Sequence, residues 1–229
     1  MMHDESGLVV TFDLFSALTD TRTGASAAFA RLAAERGWDV DGVVLHDRWD
    51  RHNKALQRTA RPPLTFRDLS LEALRRAYDD LDLPGSADDD LTALWEDAAD
   101  WPLWSDVADG VRAVAEVAAV GILSNVDDVL ARRTRAWGLV DPELVLTSQG
   151  LGAYKPSVEI YRRAAEAVAP RRLVHVAASA RDVRGALEAG IATLRLARPG
   201  HVVDPDGPQP AVEVTHAADL RAALARLLE

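Results

Sequence analysis

Five short apolar runs restrict this chain to a small set of architectures. They are Leu8–Phe12, Val120–Ser124, Leu144–Ser148, Leu173–Ala178 and Ala192–Ala197. Most are continuous rather than alternating, as in strands covered on both faces of a parallel sheet. Helical segments separate the later runs. Val126–Trp137 stops at Gly138, Pro156–Ala169 opens with proline in its first turn, Asp182–Ala189 stops at Gly190, and Ala217–Leu228 closes the chain. Such alternation predicts an α/β fold: a doubly wound parallel sheet with a Rossmann-like core.

The stretch from Asp20 to Ala99 breaks the pattern. It reads as helices at Ala25–Arg36, Asp41–Gln57, Thr65–Leu81 and Asp88–Ala99, separated by Gly37, Arg61-Pro62-Pro63 and Leu83-Pro84-Gly85. The expected organisation is a core formed by residues 1–19 and 101–229, with an all-helical module, residues 20–100, inserted after the first strand. The Pro199–Pro210 tract is a loop. At 229 residues and 48% hydrophobic, the chain can bury a core without staples. It has no cysteine, which excludes disulfides, thiolate metal sites and cysteine nucleophiles. Against 36 acidic residues stand 26 basic ones, a net charge of −10, so nucleic acid and acidic membrane surfaces are poor partners. No apolar stretch approaches the roughly 20 residues of a membrane span. Met1–Ser6 lacks the layout of a signal peptide. The expected location is cytoplasmic.

In open α/β sheets, ligands bind beyond the carboxyl ends of the strands. The residues there are Asp13, Ser124 and Asn125, the Gln149–Lys155 loop, and Ser179–Asp182. A carboxylate ending a buried strand, like Asp13, is costly unless it is used or hydrogen-bonded. The basic residues are 24 arginines and two lysines, Lys54 and Lys155. Lysine is a compact point charge suited to a tight anionic site. Taken singly, these residues read as a turn aspartate, a capping pair and a helix-start carboxylate. Jointly, in this order, they mark one site. The histidines do not suggest a metal site: His46 and His52, six apart, point to different faces of one helix, and His3, His175, His201 and His216 are scattered. There is no Gly-x-Ser-x-Gly elbow and no phosphate-binding glycine loop. Trp95, Trp101 and Trp104 are expected to pack at the hinge between helical module and core.

This order resembles the haloacid dehalogenase superfamily. Motif one is Val10-Thr11-Phe12-Asp13-Leu14-Phe15-Ser16-Ala17-Leu18, and motif two is Ile122-Leu123-Ser124-Asn125. Motif three is Tyr154-Lys155-Pro156, followed by Ile160-Tyr161. Motif four runs from His175 to Asp182, followed by Gly185-Ala186 and Ala189-Gly190. Val212-Glu213-Val214 looks like the closing segment, and the inserted helices match the family's cap. Two positions lack an acid that the family's magnesium-dependent phosphatases carry: Phe15 stands where an aspartate protonates the leaving alcohol, and Ala178 where one holds magnesium. An alkoxide leaving group needs a general acid, and a carboxylate attacking phosphate needs a cation to offset repulsion. A halide leaves without a proton. The chain is therefore most similar to the metal-independent L-2-haloacid dehalogenases, which have an aromatic residue at Phe15 and also read Ser-Asn in motif two.

That resemblance implies a hydrolase in which Asp13 is the nucleophile, Lys155 keeps it ionised and Asp182 holds the water. It implies that Ser124 and Asn125 orient the substrate carboxylate, and that Phe15, Phe66, Ser179 and Tyr161 line the substrate. A cap arginine, Arg48 or Arg51, would guide substrate and halide. The chain departs from that type at Ser16-Ala17 (Gly-Thr there), Ala177 (serine there) and Ser179 (asparagine there). No cofactor is expected. Magnesium on Asp13 and Asp182 belongs to an alternative, a phosphatase-type hydrolase with atypical metal ligation. A second alternative is a catalytically retired binding protein, against which the retained Lys155 argues. The expected partner is a small anionic substrate, with no nucleic acid and no membrane, and a homodimer is the assembly to test.

Overall fold

The computed structural model describes residues 7–229; Met1–Ser6 lies outside them. Six strands form one sheet: β1 (Leu8–Phe12), β2 (Ala119–Ser124), β3 (Val145–Thr147), β4 (Arg172–Ala177), β5 (Ala192–Leu196) and β6 (Val212–Val214). Their spatial order is β3-β2-β1-β4-β5-β6, and every neighbouring pair is parallel. All five residues of β1 are buried, consistent with helices on both faces. The strand order turns at β1, which opens a crevice beyond its carboxyl end. Asp13 stands there, its amide donating to Val176 O (3.0 Å).

Between β1 and β2 come α1 (Thr21–Arg36), α2 (Gly42–Thr59), α3 (Phe66–Asp80), α4 (Ala87–Asp97) and α5 (Val107–Ala115). After β2 come α6 (Asp128–Arg133), α7 (Ser148–Leu151), α8 (Val158–Val168), α9 (Ala180–Glu188) and α10 (Leu220–Leu228). Every regular element described between residues 20 and 100 is helical. The caps explain the boundaries. The Asp20 and Asp41 side chains accept from Thr23 N and Val43 N, and Thr65 and Asp68 form a capping box on α3. Gly37, at φ 68°, closes α1 in the left-handed region. On α2, Leu45, Trp49, Asn53 and Gln57 recur every fourth residue and are buried, so one stripe runs from apolar to polar along the helix. Core side chains hold the inserted helices: Asp127 accepts from Phe66 N (2.9 Å) and Arg67 N (2.8 Å), and the Tyr154 hydroxyl donates to Leu64 O (2.8 Å).

Some boundaries differ from the sequence reading. The expected Val126–Trp137 helix is split into α6 and a 3₁₀ turn, Arg135–Leu139. Thr134 between them is extended, and its hydroxyl bonds back to Ala131 O (2.8 Å). Pro156 does not open α8; Ser157 caps it by accepting from Glu159 N (3.3 Å). The tail Val212–Val214 is a sixth strand, too short to show a periodicity.

Candidate active site

Asp13 leaves β1 into a π-helical turn, Leu14–Leu18, that folds back over its carboxylate. Oδ2 accepts from Ser16 N (2.9 Å) and from the Ser16 hydroxyl. Oδ1 accepts from Lys155 Nζ (2.9 Å) and from Ser124 Oγ (3.2 Å). The same ammonium donates to Asp182 Oδ2 (2.6 Å). Asp182 Oδ1 accepts from the Tyr161 hydroxyl (2.7 Å), and His175 Nε2 lies 3.2 Å from both Asp182 oxygens. Asp13, Lys155, Tyr161, His175 and Asp182 are all buried. One cation thus serves two buried carboxylates, and a tyrosine and a histidine complete the hydrogen bonds of the second. Buried charges persist only in such fully bonded sets.

The electrostatics follow from this geometry. Burial pushes the Asp13 carboxyl up, but the Lys155 charge, helped by Ser16, outweighs it and leaves Asp13 below the ordinary range. For Asp182, burial is again outweighed, by Lys155 and then His175, and the carboxyl titrates far below the ordinary range. Burial lowers Lys155, while Asp13 and Asp182 raise it further, so it stays charged above the usual lysine value. Carboxylates depressed in this way contribute stability above their unfolded pKa, near about 4, that is lost as pH falls through their folded values. The lysine, raised above its unfolded pKa near about 10.4, contributes stability below that value that is lost as pH rises through the folded one. Turnover is therefore expected to be flat from about pH 5 to about pH 9, without an acid limb from Asp13. A pH–rate profile in non-coordinating buffers checks this, and an acid limb centred above pH 5 that shifts on Asp13 substitution would contradict it.

The cleft facing this network has a volume of about 610 Å³. Asp13, Phe15, Phe66, Asn125, Lys155, Ser179 and Asp182 line it. Arg48 and Arg51 do not. Trp49 and Asn53 set the inner face of α2, and at about 100° per residue Arg48 and Arg51 fall off that face. Arg48 donates to Asp80 Oδ2 (3.0 Å) on α3, and Arg51 is exposed to solvent. Besides Lys155, the lysine and arginines that line it are Arg22, Lys54 and Arg181. Arg22 is paired with Asp47 and Lys54 with Asp50. Arg181 donates to neutral acceptors, Gln57 Oε1 (2.8 Å) and Lys54 O (3.3 Å), and forms no ion pair among the described residues.

Asn125 holds the site together instead of presenting a free amide to a ligand. Its Nδ2 donates to Gln57 Oε1 (2.8 Å) and Lys155 O (3.0 Å), and its Oδ1 accepts from Lys155 N (2.7 Å). It fixes the lysine loop and ties it to α2. Trp95, Trp101 and Trp104 do more than pack at a hinge, because all three line the cleft. Gln57 is not a candidate in the sequence reading, and His175 and Arg181 enter it within the fourth motif, without a role of their own. The polar residues Asn53 and Gln57, in step with Trp49, were the legible signal on α2. His175 gave none, because a lone histidine inside a strand is ordinarily core.

The donor set does not suit magnesium. A hard divalent cation of this size takes about six oxygens in octahedral geometry. Here both carboxylates are bonded to the Lys155 ammonium, and Ala178 adds no donor. No group of three metal-binding side chains occurs among the described residues. At the position of the phosphatases' proton donor, the Phe15 ring stacks on Phe66, with centroids 5.9 Å apart and planes 19° apart.

Comparisons with known proteins agree with this fold. The crystal structure of a defluorinating L-2-haloacid dehalogenase matches with TM-score 0.79 and 26% identity, over 97% of this chain and 98% of that one. A second L-2-haloacid dehalogenase matches with TM-score 0.79 and 24% identity, over 96% and 99%. The L-2-haloacid dehalogenase of Xanthobacter autotrophicus, solved with chloropropionic acid covalently bound, matches with TM-score 0.80 and 19% identity, over 95% and 98%. A search of curated proteins gave no match. No helix among the described residues is long and apolar enough to cross a membrane. A family model described as haloacid dehalogenase-like hydrolase matches residues 8–190, the span that carries the strand-end aspartates and the lysine between them, and the chain belongs to that family of hydrolases.

Proposed function

We propose that this hydrolase displaces halide from C2 of a 2-haloacid through an ester on Asp13. The observation that carries the reading is the Lys155 ammonium between Asp13 and Asp182, 2.9 and 2.6 Å away, with phenylalanine at 15 and alanine at 178. This set provides an ionised nucleophile but no proton for a leaving alkoxide and no metal to screen a phosphate. An Asp13 oxygen attacks C2, the carbon–halogen bond breaks, and the halide leaves with its electron pair. The ester removes one negative charge, so Lys155 then faces Asp182 alone. Water ordered at Asp182 and Ser179 attacks the Asp13 carbonyl carbon. The 2-hydroxyacid leaves, the carboxylate reforms, and one proton passes to solvent. Arg181, which has no ion pair among the described residues, holds the substrate carboxylate in place of a cap arginine. The matching L-2-haloacid dehalogenases support the small anionic substrate.

A panel measuring halide and phosphate release, with and without magnesium, tests the reading. Halide release from a 2-haloacid is expected to survive chelation. Phe15→Asp is expected to lower it, because a second carboxylate beside Asp13 raises a pKa by like-charge repulsion and a halide needs no proton. Magnesium-dependent phosphate release without halide release would replace this reading with the phosphatase one.

A further inference from the structure

The cleft is much larger than a three-carbon haloacid requires. At about 610 Å³ it falls in the range of pockets for drug-sized ligands, about 300–1,000 Å³. One wall is a continuous aromatic surface. Phe15 stacks on Phe66, Phe66 stacks on Trp95 (centroids 6.1 Å apart, planes 16° apart), and Trp101 lies 6.2 Å from Phe15. Leu91 and Leu94 extend it.

Resting on the dehalogenase reading, we infer that the substrate is a 2-haloacid whose C2 substituent carries an aromatic ring. Its carboxylate faces Arg181 and its C2 faces Asp13. Its ring packs on the Phe15–Phe66–Trp95 wall. Burying a ring on an aromatic wall strengthens binding roughly 10- to 100-fold.

The test measures binding and turnover separately on the full chain. Calorimetry compares two unreactive acids, propanoate and 3-phenylpropanoate. The expected result is a Kd falling at least tenfold from the first to the second. Trp95→Leu should reduce this ratio at least about fivefold, and a ratio is insensitive to a partly unfolded preparation. Equal binding of propanoate and 3-phenylpropanoate overturns the inference. Halide release from 2-chloropropanoate and 2-chloro-3-phenylpropanoate then separates the two claims. A higher kcat/KM for the ring substrate supports the inference, and a higher value for 2-chloropropanoate overturns it while the dehalogenase reading stands. No release from either, despite tight ring binding, overturns the dehalogenase reading alone.

Discussion

Lys155→Met is expected to cut halide release by at least about 10²–10³-fold, the scale of losing one preorganised charge in a closed site. It should also destabilise the fold by about 3–5 kcal/mol near neutral pH, because the two buried carboxylates lose their shared cation. The pH dependence of stability should change sign. In the wild type, Asp13 and Asp182 titrate below their unfolded values, so the unfolded chain binds more protons in acid and stability falls as pH is lowered. In the variant, burial and mutual repulsion push one carboxyl above its unfolded value. The folded state then binds the extra proton, and stability rises as pH is lowered through that range. Urea unfolding at several pH values reads both slopes, and parallel slopes would contradict the shared-cation account. Lys155→Arg should not restore activity, since a planar fork does not reproduce a point charge bonded to both carboxylates.

Asp182→Asn is expected to separate the two chemical steps. The neutral amide still fills the space between Tyr161 and Lys155 but no longer orders and polarises the water. Alkylation of Asp13 should proceed, because Lys155 still holds the nucleophile ionised. Ester hydrolysis should slow by about 10³-fold or more, within the usual range for general acid–base assistance and its positioning. Rapid mixing should then show a burst of halide close to one per active site, and intact mass should show the enzyme carrying the carboxyalkyl ester of Asp13. Loss of the burst itself would mean that Asp182 acts mainly by positioning Lys155.

Much of this site could be read from the sequence because an open parallel sheet gathers its strand ends. Asp13, Ser124 and Asp182 each follow a recognisable buried run, and Lys155 is one of two lysines in an arginine-rich chain. The structure brings these residues, with Tyr161, into one hydrogen-bonded cluster. Roles that depend on rotation about a helix axis were not legible. Arg48 and Arg51 lie in the right stretch of α2, but one turn of phase decides what faces the cleft, and Asn53 and Gln57 face it instead. Asn125 stands at a predicted site position, yet its hydrogen bonds go to Lys155 and Gln57, a pairing across distant segments that no local pattern carries. Boundary differences have local causes: the Thr134 side chain competes for the helix backbone, and β6 is only three residues long. The altered positions Ala177, Ala178 and Ser179 sit beside His175, which bonds Asp182 from inside β4. The cluster is thus held from the strand itself, a route that motif matching does not show.

The central claim is that Asp13 attacks carbon and is then hydrolysed at its own carbonyl. A single turnover in heavy-oxygen water, with enzyme in excess over a 2-haloacid, tests it directly. The account predicts that the first 2-hydroxyacid carries unlabelled oxygen at C2, because that oxygen came from Asp13. The peptide containing Asp13 should gain one heavy oxygen. Heavy oxygen at C2 of the first product, with Asp13 unlabelled, would mean that water attacked the substrate directly and would contradict the account.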